Sequence, residues 1–264
     1  MGSPLGLGRN RLRRPPMTEA AGPPDLRTIA YADATDPRQE LDIHEHVGAP
    51  RRTAVVFIHG GGWYGGTRDA FTNMARWSAG RGFPTASLGY RIEEDTDYAD
   101  KVADLETGLA IVTDKLRPER LILVGSSAGA HLATALVLEQ RTPQPVVGVL
   151  SINGPGSMAD DHLGESGQAR VRQLGLTDEH LALFGQPPSE LTPAEWLFLL
   201  AEDEHYFLHP GVEVLAGALA RQGHAVETVI EPDTKHGFAY ARTPESHPEM
   251  FARLSRFVDR CEAI

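Results

Sequence analysis

The feature that most constrains the fold is one continuous stretch, residues 120–136, with the sequence RLILVGSSAGAHLATAL. An apolar run ends at Val124, and the pentapeptide GSSAG at 125–129 leads directly into a helical pattern. A Gly-x-Ser-x-Gly turn between a buried strand and a helix is typical of a nucleophile elbow, where a side chain at either glycine would strike the backbone. The frame of the motif selects Ser127, rather than Ser126, as the serine exposed at the edge of a sheet.

Beyond residue 24, short β-rich runs alternate with helical periodicity, which predicts an α/β sheet. The runs at 53–58, 120–124 and 146–152 are almost continuously apolar, as expected of parallel strands that are buried on both faces. The predicted strands are 28–32, 39–46, 53–58, 84–90, 120–124, 146–152, 195–201 and 224–230, and the clearest helices are 69–81, 99–116, 128–140, 211–222 and 245–260.

The length and composition indicate one main domain. A chain of 264 residues that is 41% hydrophobic can fill a single large core without a disulfide or a structural metal. We expect residues 1–24 to be a disordered leader and residues 25–264 to form the domain. Residues 153–194 are too long for an ordinary connection and contain two amphipathic fragments, so we predict an inserted cap or lid, with a surface loop as the alternative.

Charge and hydropathy disfavour several classes of partner and location. A formal net charge of −11 disfavours nucleic acid and anionic membranes. The sequence has no apolar run near the ~20 residues of a membrane helix, and its first residues lack the apolar stretch of a secretory signal. We therefore expect a cytoplasmic protein that acts on a small molecule, while a homo-oligomer remains open.

A second glycine-rich loop follows another buried strand, in the sequence VVFIHGGGWYGG at residues 55–66. Three consecutive glycines allow backbone N–H groups to face a substrate oxygen with no Cβ in the way. Such a loop supplies part of an oxyanion hole, which is completed by the N–H of the residue after the nucleophile. The predicted donors are Gly61, Gly62 and Ala128.

A histidine and three carboxylates follow the last two predicted strands. His236 lies in the sequence ETVIEPDTKHGFAY at 227–240, which fits the chain order serine, acid, histidine. His131 is its main rival as the base, but it lies on the helix after Ser127 and is expected to pack under the elbow. Residues 202–204, Glu-Asp-Glu, follow the seventh strand, and charge alone leaves the choice of acid open.

These motifs, in this order across residues 53–240, resemble the α/β-hydrolase superfamily. Within it they are similar to the branch of hormone-sensitive-lipase-like carboxylesterases and kynurenine formamidases, through Trp63, the Gly-Tyr-Arg at 89–91 and the SAGAHL at 127–132. The resemblance implies an α/β-hydrolase fold, with a mostly parallel eight-stranded sheet, helices on both faces and a small cap insertion.

The resemblance also selects an acid. Members of this branch place it at the fourth position of a Gly-x-x-Asp turn, which corresponds to AEDE at residues 201–204. This implies Glu204 as the acid, with Asp203 as the alternative. The chain departs from the pattern twice, with alanine in place of glycine and glutamate in place of aspartate.

The expected function is hydrolysis of a carboxylic ester through an acyl-enzyme, with a Ser127–His236–Glu204 triad and without a metal or organic cofactor. The closest alternative is an arylformamidase that hydrolyses an N-formyl aromatic amide such as N-formylkynurenine. Trp63, Tyr64 and Phe238 are the candidate substrate contacts for either reaction. A minor alternative is a non-catalytic binding protein with a hydrolase fold.

Overall fold

The computed structural model describes residues 26–46, 48–158 and 160–264, so the predicted leader at 1–24 lies outside the described residues. Eight strands form a single sheet in the order β1-β2-β4-β3-β5-β6-β7-β8. They are β1 Leu26–Ala30, β2 Glu40–His44, β3 Thr53–Ile58, β4 Thr85–Leu88, β5 Arg120–Ser126, β6 Val146–Ile152, β7 Glu195–Asp203 and β8 Ala225–Lys235.

Most neighbouring strands are parallel. β2 runs antiparallel to β1 and to β4, whereas every pair from β4 through β3, β5, β6 and β7 to β8 is parallel. The predicted eight-stranded, mostly parallel sheet is therefore confirmed. In a parallel sheet the carboxyl ends of the strands lie at one edge, which is where such folds place their ligand sites.

Helices cover both faces of the sheet. They are α1 Thr72–Gly80, α2 Tyr98–Leu116, α3 Ala128–Leu138, α4 Asp160–Gln173, α5 Asp178–Gly185, α6 Leu208–Arg221 and α7 Pro248–Ala263, with a short 3₁₀ helix at Arg68–Phe71. One apolar cluster includes Leu105 of α2, Leu132 of α3 and Leu215 of α6. The other includes Met74 of α1 and Phe257 of α7, so each face has its own core.

Most differences from the predicted boundaries have a local cause. Helix α7 begins at Pro248, three residues after the predicted start, because proline is favoured at the first helical position. Helix α6 begins at Leu208 because Pro210, in its first turn, needs no backbone hydrogen bond there. Strand β8 continues to Lys235, past the predicted end, because Lys235 still pairs with Asp203 beyond an irregularity in β7.

The predicted cap segment, residues 153–194, contains α4 and α5. Thr177 caps α5 by accepting a hydrogen bond from the His180 N–H. His180 and Phe184 of α5 are buried, and Phe184 belongs to the same core cluster as α3. This helix is therefore packed onto the domain. In the described part of the chain, none of the helices combines the length and the apolar character needed to span a membrane.

Strand β5 gives a direct test of the core. Leu123 is fully buried and β5 pairs with strands on both sides, so Leu123→Ala should lower the free energy of unfolding by about 2–5 kcal/mol. The matched control is Leu26→Ala on β1, where the leucine is 56% exposed and the expected change is within about 0.5 kcal/mol. Urea unfolding measures both, and equal losses would contradict this packing.

Candidate active site

The elbow places Ser127 in a strained conformation at the start of α3. Its φ of 52° and ψ of −120° lie in a region that costs a non-glycine residue about 1–3 kcal/mol. A Cβ at Gly125 would collide with the backbone of Gly129 and Ala130, and a Cβ at Gly129 would collide with the end of β3. Both glycines of the motif are thus required by close backbone contacts.

Backbone hydrogen bonds connect the elbow to the neighbouring strand ends. The Ser127 N–H donates to the Ile152 carbonyl at 2.8 Å, and the Asn153 N–H donates to the Leu199 carbonyl at 2.8 Å. The ends of β5, β6 and β7 are therefore held at one edge of the sheet. The side chains that follow these strands converge there.

Ser127, His236 and Glu204 form a hydrogen-bonded series. His236 Nε2 lies 2.9 Å from Ser127 Oγ, and His236 Nδ1 lies 2.6 Å from Glu204 Oε1. Because an ionised carboxylate only accepts, the Nδ1–H donates to Glu204, and Nε2 of the neutral ring is free to accept the serine proton. These are the contacts that a nucleophile, a base and an orienting acid require.

The three adjacent carboxylates have different surroundings. The side chain of Glu204 is 1% exposed and contacts His236, whereas that of Asp203 is 74% exposed and lies 3.6 Å from Lys235 Nζ. Glu202 accepts a hydrogen bond from the Asp233 N–H. Of the three, Glu204 is the one that contacts the histidine, and it directly follows the last residue of β7.

Asn153 is a member of the site that sequence reasoning missed. It is fully buried at the end of β6, with a φ of 51°, and its Nδ2 donates to Glu204 Oε2. The His205 N–H donates to Glu204 Oε1 at 2.8 Å. Burial alone would raise the pKa of Glu204, but the hydrogen bonds from His236, His205 and Asn153 hold it below its ordinary value.

The loop after β3 faces the elbow. Gly61 and Gly62 have φ values of 120° and 62°, which glycine adopts without strain. Gly62 and Ala128 line the cavity at Ser127, and the Ala128 N–H has no acceptor within its helix because it occupies the first position. The Gly60 N–H instead donates to the Tyr240 hydroxyl at 2.9 Å. The predicted oxyanion donors thus remain Gly61, Gly62 and Ala128.

His59 braces this loop. Its Nδ1 donates to the Gly60 carbonyl at 2.8 Å, and its ring stacks on Tyr90 with centroids 4.3 Å apart. The Tyr90 hydroxyl donates to the His59 carbonyl at 2.9 Å. Burial lowers the pKa of His59 to about 4, so the ring is neutral near pH 7.

A cavity of about 280 Å³ opens at Ser127. Its lining includes Trp63, Pro155 and Gly167, together with His205, Phe207 and Leu208. Of the three candidate substrate contacts, only Trp63 is at this cavity. The ring of Tyr64 packs against Lys101 and Arg170, and that of Phe238 packs against Arg242.

One group of potential metal ligands occurs among the described residues. Side-chain ligand atoms of Glu204, His205 and His236 lie within 4.8 Å of one another. Glu204 and His236 already bind each other, so a cation there would compete with the hydrogen bond of the triad.

Over part of its length the chain is similar in sequence to several known proteins. A family model described as BD-FAE matches residues 41–166. Isoprenylcysteine alpha-carbonyl methylesterase ICME of Arabidopsis thaliana is 32% identical over 124 residues, which are 45% of this chain and 29% of that protein. A probable isoprenylcysteine alpha-carbonyl methylesterase, ICMEL1 of Oryza sativa subsp. japonica, is 33% identical over 122 residues, 43% of this chain and 28% of that protein. The matches thus span less than a third of these curated relatives.

Solved structures extend the likeness over most of the chain. Esterase B from Lactobacillus rhamnosis superimposes with a TM-score of 0.74 at 21% identity and covers 91% of this chain and 87% of its own. Thermogutta terrifontis esterase 2 phosphonylated by sarin gives a TM-score of 0.72 at 20% identity, covering 92% and 95%. The chain has the α/β-hydrolase fold. Within this fold, the elbow and the loop after β3 both lie in the stretch that matches the family model.

The two candidate acids can be separated by substitution. Glu204→Gln should lower kcat for an ester by about 10³–10⁴-fold, because the histidine loses the carboxylate that fixes its tautomer and stabilises its cation. Asp203→Asn, the matched control on the exposed neighbour, should keep kcat within about twofold. Steady-state hydrolysis of p-nitrophenyl acetate measures both, and the reverse result would assign the role to Asp203.

Asn153→Ala tests the hydrogen bond that Asn153 donates to Glu204. Because the pKa of Glu204 is lowered in the folded state, its ionised carboxylate stabilises the fold at pH values above the unfolded-state pKa of about 4.3. This contribution is lost as the pH falls through the folded-state pKa of Glu204. Because a hydrogen bond to a charged group contributes about 1.5–3 kcal/mol, the variant should be destabilised by a similar amount at pH 7 and by less in acid. Urea unfolding at pH 7 and pH 4 measures this, and a pH-independent loss would contradict it.

Proposed function

We propose that this chain is a serine-dependent hydrolase of carboxylic esters that works through an acyl-enzyme. The observation that carries the proposal is the position of His236, which contacts Ser127 at 2.9 Å and the buried Glu204 at 2.6 Å. The names of the relatives also support ester hydrolysis, since the plant proteins are called methylesterases and the structural neighbours include esterases.

In the first half-reaction, Ser127 Oγ attacks the ester carbonyl carbon while His236 Nε2 removes its proton. The carbonyl oxygen becomes an oxyanion, and we assign its stabilisation to the N–H groups of Gly61, Gly62 and Ala128. Helix α3 adds the positive end of its dipole at the same point. The imidazolium, which Glu204 stabilises, then protonates the alcohol as it leaves.

In the second half-reaction, water replaces the alcohol. His236 removes a proton from the water as it attacks the acyl carbon, and the second oxyanion forms at the same N–H groups. Collapse of this intermediate returns the proton to Ser127 and releases the carboxylic acid. Each step uses side chains and backbone groups of this chain.

The cavity favours a small ester. Its volume of about 280 Å³ lies just below the ~300–1,000 Å³ range of small-molecule sites. Pro155, Phe207 and Leu208 give it apolar walls that suit a short aliphatic acyl group. Pro155 and Gly167 come from residues 153–194, which supports the proposal that this segment is a cap over the site. The cytoplasmic location stays a prediction.

A fluorophosphonate probe tests the nucleophile, because it reacts covalently with an activated serine. Intact-mass and peptide mass spectrometry of the wild-type chain should show one phosphonyl group on Ser127, and Ser127→Ala should stay unlabelled. Ser126→Ala, the matched control at the neighbouring buried serine, should still be labelled. Labelling at another residue, or no labelling of the wild type, would contradict the proposal.

The same preparations separate the reaction classes. Turnover of p-nitrophenyl butyrate that disappears in Ser127→Ala supports the esterase and excludes the non-catalytic binding protein. A kcat/KM for N-formylkynurenine well above that for the ester would instead assign the arylformamidase reaction.

A further inference from the structure

A row of hydrogen-bonded side chains runs from the cavity to the cap segment, and the proposed mechanism does not use it. The Trp63 indole Nε1–H donates to His131 Nδ1 at 3.2 Å. His131 Nε2 lies 3.0 Å from His180 Nε2, and His180 Nδ1 lies 2.7 Å from Glu139 Oε1. We call Trp63, His131, His180 and Glu139 the histidine relay.

The relay joins separate parts of the fold. Trp63 follows the glycines of the loop after β3, His131 lies on α3, His180 lies on α5 of the cap segment, and Glu139 is the C-cap of α3. His131 is 0% exposed and His180 is 6% exposed. Water therefore cannot easily replace these bonds, and each buried polar atom depends on its partner.

The two ends of the relay determine where its protons are. An indole nitrogen can only donate, so His131 Nδ1 accepts and the proton of the neutral ring is on Nε2. His131 therefore donates to His180 Nε2, which places the His180 proton on Nδ1, where it faces Glu139. Burial, with His180 as a lesser cause, holds the pKa of His131 well below its ordinary value, which agrees with a neutral ring.

Glu139 is a fixed end point. Its Oε1 also accepts a hydrogen bond from the Tyr98 hydroxyl at 2.8 Å, and its Oε2 lies 3.7 Å from Arg141. Burial alone would raise the pKa of Glu139, but the hydrogen bonds from His180 and Tyr98 hold it below its ordinary value. The relay thus ends on a charged acceptor that α2 and α3 hold in place.

Aromatic packing holds the rings of His131 and His180 in position. His131 stacks on Phe184 of α5 with an interplanar angle of 12° and centroids 5.1 Å apart. Tyr98 contacts His180 edge-on, with centroids 4.4 Å apart. Any movement of α5 would therefore move the partner of His131 together with its aromatic support.

The other end of the relay is at the reaction site. Trp63 has a φ of 68° and follows Gly62, whose φ is 62°. A non-glycine residue keeps such a backbone conformation only where its surroundings hold it there. The hydrogen bond from the indole to His131 is one such restraint, and it acts on the residue next to the predicted oxyanion donors.

We propose that His180 is a positioning residue, which acts through His131 and Trp63 to hold the oxyanion loop in its reactive geometry. It contacts neither Ser127 nor the cavity, so its effect on the reaction is indirect. The inference rests on the proposed function, because it assigns this role within that reaction. It makes the cap segment a part of the catalytic apparatus.

The first test replaces His180. His180→Phe keeps an aromatic ring but breaks the two relay bonds that His180 makes. We expect kcat for p-nitrophenyl acetate to fall about tenfold, less than the ~100-fold loss of a whole oxyanion donor. KM should change much less, because the loop acts on the transition state. His180→Gln, which can still donate and accept, should recover part of kcat. Glu179→Gln on the exposed face of α5 is the matched control and should keep kcat.

A double-mutant cycle separates positioning from simple stability. If His180 acts through Trp63, the double variant Trp63→Phe/His180→Phe should lose no more kcat than the single variant with the lower kcat. If His180 only stabilises the cap segment, the two losses multiply, or Tm falls with kcat unchanged, and the proposal is overturned. If His180→Phe does not fold, His180→Gln replaces it in the cycle.

A readout independent of catalysis completes the test. The three tryptophans give three indole N–H signals in ¹⁵N-labelled protein, and Trp63→Phe identifies the signal of Trp63. That signal should shift in His180→Phe and stay in place in Glu179→Gln; an unchanged signal in His180→Phe would overturn the relay. Failure of the fluorophosphonate to label the wild type would refute the proposed function alone, since the indole shift needs no reaction.

Discussion

The approach of Gly129 to the end of β3 is the constraint on which the site depends. A Cβ at this position would meet the carbonyl groups of Ile58 and His59, so only glycine allows the elbow to pack directly against the neighbouring strand. That contact sets the distance between Ser127 and the loop with Gly61 and Gly62. The strained backbone conformation of Ser127 is maintained because the closely packed strands around the turn allow no relaxed conformation there.

Glu204 shows how a charge is held at the edge of a hydrophobic sheet. Removing a carboxylate from water costs several kcal/mol unless hydrogen bonds compensate. Here a histidine ring, a backbone N–H and the Asn153 amide supply three donors to its two oxygens. Each donor comes from a different strand end or loop, so the three hydrogen bonds to the ionised acid can form only when the sheet is assembled. Stability and reactivity are therefore linked at this residue.

The site residues that could be predicted from the sequence are those that lie in short, recognisable motifs or in a known chain order. Ser127 and the loop glycines follow buried strands in recognisable turns, and His236 follows from chain order. Asn153 was not predicted, because an Asn-Gly pair after a strand is typical of an ordinary turn. Its hydrogen-bond partner, Glu204, lies 51 residues later in the chain. Tyr64 and Phe238, the other two predicted substrate contacts, do not line the cavity at Ser127, since proximity along the chain to a motif does not determine which way a side chain points. His180 carried no local signal, because its role depends on a ring 49 residues earlier.

His131 illustrates why a residue beside the nucleophile need not take part in proton transfer. It lies on the first turn of α3, yet its ring turns away from the cavity and is enclosed by Trp63, His180 and Phe184. A buried imidazole there would be costly without partners, and a hydrophobic side chain of the same size would pack as well. What an imidazole adds is direction, because it accepts from one side and donates on the other. If His180 positions Trp63 as we propose, helix α5 thereby fixes the rotamer of an indole beside the predicted oxyanion donors, which packing of apolar rings alone would leave freer to move.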